Sequence, residues 1–201
     1  MRAEAPLAGL VLAGGRSQRM QRDKAALEFD GETQLARAVR LVGRYAAQTF
    51  VSVRPDQTGD AERRRFPQIV DRLTDVGPAA GILAAQETLP DHAWLVVAVD
   101  LPLLDSATLE RLIGARDPSA PATAYHSAAD GLPEPLCAIW EPASRAPLAA
   151  AVAGGRSSPR KFLLNHAAHL LALATPDALA NVNTPADYVA ALARGPGGQS
   201  P

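Results

Sequence analysis

The apolar run Leu7-Ala8-Gly9-Leu10-Val11-Leu12 passes without a break into Ala13-Gly14-Gly15. A buried strand that empties directly into adjacent glycines narrows the choice of fold sharply. Leu35, Ala38, Val39, Leu41 and Val42 then recur at helical spacing, and Phe50-Val51-Ser52-Val53 predicts a second strand. A βαβ unit accounts for all three. The alternation continues through Ile69-Val70, a helix over 82–88, a strand over 94–99 and a helix opening at Ser106. Such repetition favours a mostly parallel sheet covered on both faces. Strands over 122–126 and 136–140 flank the turn-rich Asp130-Gly131-Leu132-Pro133 and suggest some antiparallel pairing. Helices over 143–153 and 159–166, an apolar run at 170–174 and a helix over 185–193 complete the pattern. With 201 residues and no internal repeat or linker, the expectation is one three-layer α/β/α, Rossmann-like domain over 1–194. The glycine- and proline-rich stretch 195–201 is expected to be a disordered tail.

Composition removes several function classes. A formal net charge of -1, with 47% hydrophobic and 20% charged residues, fits a soluble globular protein and predicts no nucleic-acid partner. Cys137 stands alone and has no partner for an internal disulfide. The first six residues, Met1-Arg2-Ala3-Glu4-Ala5-Pro6, lack the apolar core of a secretory signal. Apolar stretches such as 95–99 fall far short of the roughly 20 residues needed to span a bilayer. The expectation is a cytoplasmic protein without a membrane anchor.

In an open α/β sheet, ligands bind beyond the carboxyl ends of the strands, and the first strand delivers Gly14 and Gly15 to that edge. Glycines let backbone N–H groups approach phosphate oxygens with no Cβ in the way. Arg16, Arg19, Arg22 and Lys24 follow closely and supply positive charge. The segment is neither a Walker A loop nor a Gly-x-Gly-x-x-Gly fingerprint. A simple turn with solvated cations is the alternative, but a cationic cluster straight after a buried strand favours a polyphosphate. Downstream, Asp100 stands at the exit of Val96-Val97-Ala98-Val99, with Pro102 stiffening the next turn. A carboxylate there suits magnesium, which takes one or two protein acids and completes its shell with phosphate and water. Its other reading, a helix cap, is already met by Asp105 or Ser106. His126 reads as a solvated or structural histidine.

The run Leu12-Ala13-Gly14-Gly15-Arg16-Ser17-Gln18-Arg19-Met20-Gln21-Arg22-Asp23-Lys24 resembles the signature of the molybdenum cofactor guanylyltransferases, the MobA family of nucleotidyltransferases. Asp71 with Gly77-Pro78-Ala79-Ala80-Gly81-Ile82, Asp100-Leu101-Pro102, Glu134-Pro135-Leu136 and Asn181-Val182-Asn183-Thr184-Pro185 are similar to the family's later landmarks, in order. The resemblance covers residues 7–192. Two departures are Gln21, where the family usually has glycine, and Ser52, where it often has asparagine.

What the resemblance implies is transfer of GMP from GTP to Mo-molybdopterin, with Mg2+ as cofactor and pyrophosphate released. Arg19, Lys24 and Asp100 would be catalytic, with Asp100 the metal ligand. Leu12, Ala13, Gly14, Gly15, Lys24, Ser52, Asp71, Gly77, Pro78 and Asp100 would bind the nucleotide. Glu134, Arg156, Arg160, Lys161, Asn181 and Asn183 are candidates for the acceptor side, where Ser158 and Pro159 predict a helix start. Leu-Ala-Gly-Gly resembles the guanine-selecting loop, whereas cytosine-using relatives tend to carry Leu-Ala-Ala-Gly. Alternatives are CTP, another phosphate acceptor, or a non-catalytic module that delivers cofactor to a molybdoenzyme or chaperone partner.

Overall fold

A computed structural model of the chain describes residues 4–15, 23–29, 31–128, 130–181 and 187, leaving aside the side chains of Lys24 and Phe29. The helix expected over 185–193, Asp187 apart, and the tail expected over 195–201 lie outside the described residues. Strands β1 (Leu7–Leu12), β4 (Thr49–Val53), β5 (Gln68–Val70), β6 (Ala93–Ala98), β7 (Ala122–His126), β8 (Pro133–Trp140) and β9 (His169–Leu171) form one sheet in the order β5-β4-β1-β6-β8-β7-β9. A separate two-stranded hairpin pairs β2 (Glu28–Phe29) with β3 (Glu32–Thr33), turning at Gly31 with φ 77°. Helices α1 (Gln34–Val42), α2 (Pro78–Thr88), α3 (Ser106–Gly114), α4 (Arg145–Ala153) and α5 (Pro159–Asn165) cover the sheet. No helix among the described residues is long and apolar enough to cross a membrane.

β5, β4, β1 and β6 run parallel, and only β8 runs against its neighbours, pairing antiparallel with β6 and β7. The chain moves outward from β1 through β4 to β5, then returns to β6 on the other side of β1. A topological switch point therefore lies at β1, where a crevice opens beyond the strand ends. Side-chain alternation divides the core accordingly. Val11, Val51, Leu95, Val97 and Ile139 pack with Leu35, Leu41, Leu109 and Leu112 on the α1/α3 face. Leu10, Val96, Ala138 and Trp140 pack with Ile82, Leu148 and Phe162 on the α2/α4/α5 face. The three-layer arrangement read from periodicity is thus present in the fold.

Local chemistry explains the element ends. Thr33 caps α1 by accepting from Ala36 N at 3.2 Å, and Asp105 caps α3 by accepting from Thr108 N at 2.8 Å. Of the two caps foreseen for α3, the aspartate takes the role. β8 begins three residues earlier than the apolar pattern predicts. Its register with β7 jumps between Ala124 and Tyr125, so that Tyr125 faces Glu134 while Ala124 faces Ala138. Pro135 falls inside that irregularity, where no ladder N–H is required of it. At the far end of β8, Arg116 donates to both carboxylate oxygens of buried Glu141, at 2.7 and 2.9 Å.

Helix α2 is apolar on nearly every side, and all positions from Ala79 to Gln86 are buried. It lies so close to β1 and β4 that a Cβ on Gly81 would stand 2.7 Å from Leu12 Cδ2 and collide with Ser52 Oγ. Alanine at 81 would gain about 1 kcal/mol of helix propensity over glycine. Overpacking at such a contact costs about 1–3 kcal/mol, more where backbone must shift. Gly81→Ala is therefore expected to lower the urea unfolding midpoint; a midpoint equal to or above that of the parent protein would show that this contact is not tight.

Candidate active site

The carboxyl ends of β1, β4, β5 and β6 converge on a cavity of about 420 Å3. Leu12, Ala13, Gly14 and Gly15 line it where β1 ends, Ser52 and Arg54 where β4 ends, and Asp71 where β5 ends. Ala98, Val99 and Asp100 line it at the end of β6. Gly77, Pro78 and Ala80 bring in the first turn of α2, whose positive dipole end suits an anion. Gly77 has φ 61° and Asp75 φ 58°, so the segment between β5 and α2 turns through left-handed backbone beside the cavity. Leu73, 44% exposed, adds an apolar surface to the rim.

The polar groups are connected. Ser52 Oγ donates to Asp71 Oδ1 at 2.7 Å from a side chain that is itself buried. Burial pushes the Asp71 carboxyl above its ordinary value, against the opposing effects of the Ser52 hydrogen bond and the Arg54 charge. A Cβ on Gly14 would sit 3.3 Å from Asp71 Oδ2, so the glycine bend and the aspartate face each other across the same space. Arg54 Nη1 donates to the Gly14 carbonyl, while its Nε and Nη2 bind Asp56 at 2.9 and 3.0 Å. Ala13 N donates to Ser52 O at 3.2 Å, and Val99 N donates to Leu12 O at 3.2 Å. Main-chain bonds thus join the ends of β1, β4 and β6 at the cavity floor.

Nine of the residues read from sequence as nucleotide-binding come together here: Leu12, Ala13, Gly14, Gly15, Ser52, Asp71, Gly77, Pro78 and Asp100. Arg19 and Asn183 lie outside the described residues, as does the Lys24 side chain. The acceptor candidates are placed elsewhere. Glu134 is buried and accepts from Leu136 N at 3.2 Å and from Arg160 Nη2 at 3.1 Å. Burial raises its carboxyl above the usual range, and the nearby Asp100 charge adds to that. Arg160 also pairs with Asp130 at 2.9 Å, so its guanidinium is committed to two acids. Ser158 caps α5 and Pro159 opens it, as foreseen. Arg156, Lys161 and Asn181 are at the surface and outside the cavity lining. His126 is exposed, with Nδ1 2.8 Å from the Gly131 carbonyl, in keeping with a structural role.

Sequence reasoning passed over Arg54, Asp23 and Arg63. Arg54 follows β4 immediately, so the strand-end rule that selects Asp100 selects it as well, whereas Asp71 enters through the family resemblance alone. Arg63 is buried and binds Ala13 and Asp23; no local pattern distinguishes it from the arginines beside it.

Asp100 presents hard carboxylate oxygens at this cavity, the donor type that magnesium prefers. Among the described residues no group of three or more His, Cys, Asp or Glu side chains could by itself hold a metal. A partial protein shell completed by phosphate oxygens and water would fit magnesium, and Asp100 is the cavity carboxylate that could contribute to it.

Residues 9–171 match the MobA-like NTP transferase domain family. Over 198 residues the chain is 35% identical to the molybdenum cofactor guanylyltransferase of Rhizobium johnstonii, covering 92% of this chain and 91% of that one. It is 36% identical over 189 residues to the molybdenum cofactor biosynthesis bifunctional protein of Synechocystis sp., covering 92% of this chain but 54% of that protein. The chain thus spans about half the length of that relative. Among solved structures, molybdopterin-guanine dinucleotide biosynthesis protein A from Archaeoglobus fulgidus superposes with a TM-score of 0.76 at 22% identity, over 92% of this chain and 97% of that one. That last likeness is one of fold.

The raised Asp71 carboxyl has a consequence for stability. Its folded-state pKa exceeds the unfolded value, so folding is favoured where it is protonated and disfavoured once pH rises through the folded pKa. Asp71→Asn removes that penalty while keeping an oxygen for Ser52. The nucleotide-free variant should therefore melt higher than the parent at neutral pH, each 1 kcal/mol moving the midpoint by roughly 2–4 °C in a chain of this size. The difference should shrink as pH falls through the folded pKa. A variant that melts lower at neutral pH would contradict this account of Asp71.

Proposed function

We propose that this chain, which belongs to the MobA-like NTP transferase family, is a magnesium-dependent molybdenum cofactor guanylyltransferase. It transfers GMP from GTP to Mo-molybdopterin. The observation that carries the reading is the convergence of four parallel strand ends on one cavity with a Gly14-Gly15 bend and the carboxylates of Asp71 and Asp100 at its wall. The name of the Rhizobium relative, molybdenum cofactor guanylyltransferase, supports the substrate class.

In this reading a phosphate oxygen of the acceptor attacks the α-phosphorus of GTP. The bond from that phosphorus to the bridging oxygen breaks, and pyrophosphate leaves with the electron pair. No protein nucleophile is required, because such transfer depends on positioning and charge neutralisation. The amides of Gly14 and Gly15 and the first turn of α2 face the phosphates. Lys24 and Arg19 offset their developing charge, and Asp71 with Ser52 orients the nucleoside. Asp100 is the ligand for Mg2+, which when bound neutralises phosphate charge. The acceptor enters over the β8 side of the cavity, where Leu136 lies, and of the acceptor candidates Glu134 and Arg160 act there only by holding that strand, through the Leu136 N–H bond to Glu134 and the pair they form with each other. Delivery of the product to a molybdoenzyme or chaperone partner in the cytoplasm follows from the same reading.

Incubation of the protein with GTP, Mg2+ and Mo-molybdopterin should yield pyrophosphate and the guanine dinucleotide in equal amounts; neither product forming would reject the proposal. Asp100→Asn should lower magnesium-dependent kcat by on the order of 100- to 1,000-fold, the scale for losing one preorganised electrostatic group. Its melting temperature should change little, and a parallel loss of fold and turnover would remove Asp100 from its role. Gly14→Ala would add a methyl 3.3 Å from Asp71 Oδ2. In side-by-side assays it should depress turnover with GTP more than turnover with CTP, and an unchanged ratio would separate Gly14 from base choice.

A further inference from the structure

Arg63 opens the run Arg63-Arg64-Arg65, yet it is 1% exposed while the two arginines after it face solvent. A buried guanidinium is tolerated only when its N–H groups are satisfied, and removing one partner of such a set is strongly destabilising. All five N–H groups of Arg63 are engaged. Nε and Nη2 donate to the Ala13 carbonyl at 3.2 and 2.8 Å. Nη1 and Nη2 donate to the two oxygens of Asp23 at 2.5 and 2.9 Å. Nη1 also pairs with Asp60 Oδ1 at 3.2 Å, and the same oxygen accepts from Arg63 N at 3.0 Å, fixing the turn from which the side chain departs.

The partners matter more than their number. Ala13 and Asp23 bracket residues 14–22 in sequence, and both line the cavity, whereas Arg63 does not. One buried side chain from a distant turn therefore ties the two ends of the glycine-rich segment together. Geometrically, the tie acts together with the Ala13 N bond to Ser52 O, so residue 13 is held on both its N–H and its C=O. The amides of Gly14 and Gly15 leave from a fixed peptide. Electrostatically, Asp23 is 38% exposed at a cavity suited to phosphates, and its negative charge is matched by Arg63 and not left facing an anion. Burial disfavours the charged form of Asp23, but Arg63 and the Ala25 N–H outweigh it and hold the carboxyl below the ordinary range.

We propose that Arg63 is a positioning residue for the nucleotide, acting through Ala13 and Asp23 without touching the substrate. The proposal rests on the nucleotidyltransferase reading above. Its competitor is a purely structural tie, and the protein supplies a reference for one: Arg116, its side chain 7% exposed and bidentate on Glu141, at the far end of β8 and away from the cavity lining.

The test uses the full chain as parent, Arg63→Lys, Asp23→Asn and Arg116→Lys, well below each melting point. GTP with Mg2+ is titrated by calorimetry, and amide hydrogen exchange over residues 10–25 is followed without nucleotide. Lysine keeps the charge, but its compact ammonium lacks the planar fork that spans Ala13 O and both oxygens of Asp23. Arg63→Lys should weaken GTP binding by about 10- to 100-fold, the scale of losing one well-placed hydrogen bond to a charged ligand, and should speed exchange over 10–25. Arg116→Lys should lose thermal stability with neither change. Parent-like affinity and exchange in Arg63→Lys, or equal weakening of GTP by Arg116→Lys, overturns the proposal. If Arg63→Lys does not fold, Asp23→Asn carries the same test: faster exchange with weaker GTP binding supports it, and parent values in both sink it. A parent protein that binds no GTP rejects the guanylyltransferase reading instead, and the exchange contrast then decides the Arg63 tie alone.

Discussion

The peptide units on either side of Ala13 are held in two directions, by the Ser52 carbonyl on its N–H and by Arg63 on its C=O. This residue is the last fixed point of β1 before Gly14 and Gly15, so the direction in which the glycine bend enters the cavity is set here. The same few atoms connect β1 to β4 and, through Arg63, to Asp23. Glycine tolerates many backbone conformations, and a segment containing two of them specifies a binding geometry only if its ends are pinned. The buried guanidinium and the strand-end hydrogen bonds do that pinning.

Packing beneath the cavity reinforces it. The absence of a Cβ at Gly81 lets α2 approach β1 and β4 with its first turn beside the cavity, while the pairing of β4 with β5 sets Ser52 against Asp71. Asp71 then sits in a setting that opposes its own ionisation. A carboxylate kept partly desolvated is a cost to stability, the usual trade at a functional site. Asp71, Asp75 and Gly77 thus bring a desolvated carboxyl and two positive-φ residues to the wall of the same cavity.

Part of this edge was legible in the sequence because Gly14, Gly15 and Asp100 stand just past apolar runs, where the rule that ligands gather at strand carboxyl ends selects them; Ser52, Asp71, Gly77 and Pro78 were reached through the family resemblance. Asp105 was readable as a cap from its place before a helix. What escaped notice has physical reasons. Arg63 looks like its solvated neighbours Arg64 and Arg65, and only the long-range fold, which brings residue 63 to residues 13 and 23, buries it. Glu134 and Arg160 read as separate charges for an acceptor, yet they pair across 26 positions, which local periodicity cannot encode. The start of β8 was obscured by Pro133 and Pro135, whose turn character is absorbed by a register shift against β7.

The most direct test is a crystal structure of the protein with a non-hydrolysable GTP analogue and Mn2+ in place of Mg2+. The account predicts an anomalous metal peak within coordination distance of the Asp100 carboxylate. The phosphates should lie over the amides of Gly14 and Gly15, with the nucleoside against Asp71. A nucleotide bound with its phosphates away from the Gly14-Gly15 bend, or a metal bridged to them without Asp100, would contradict it.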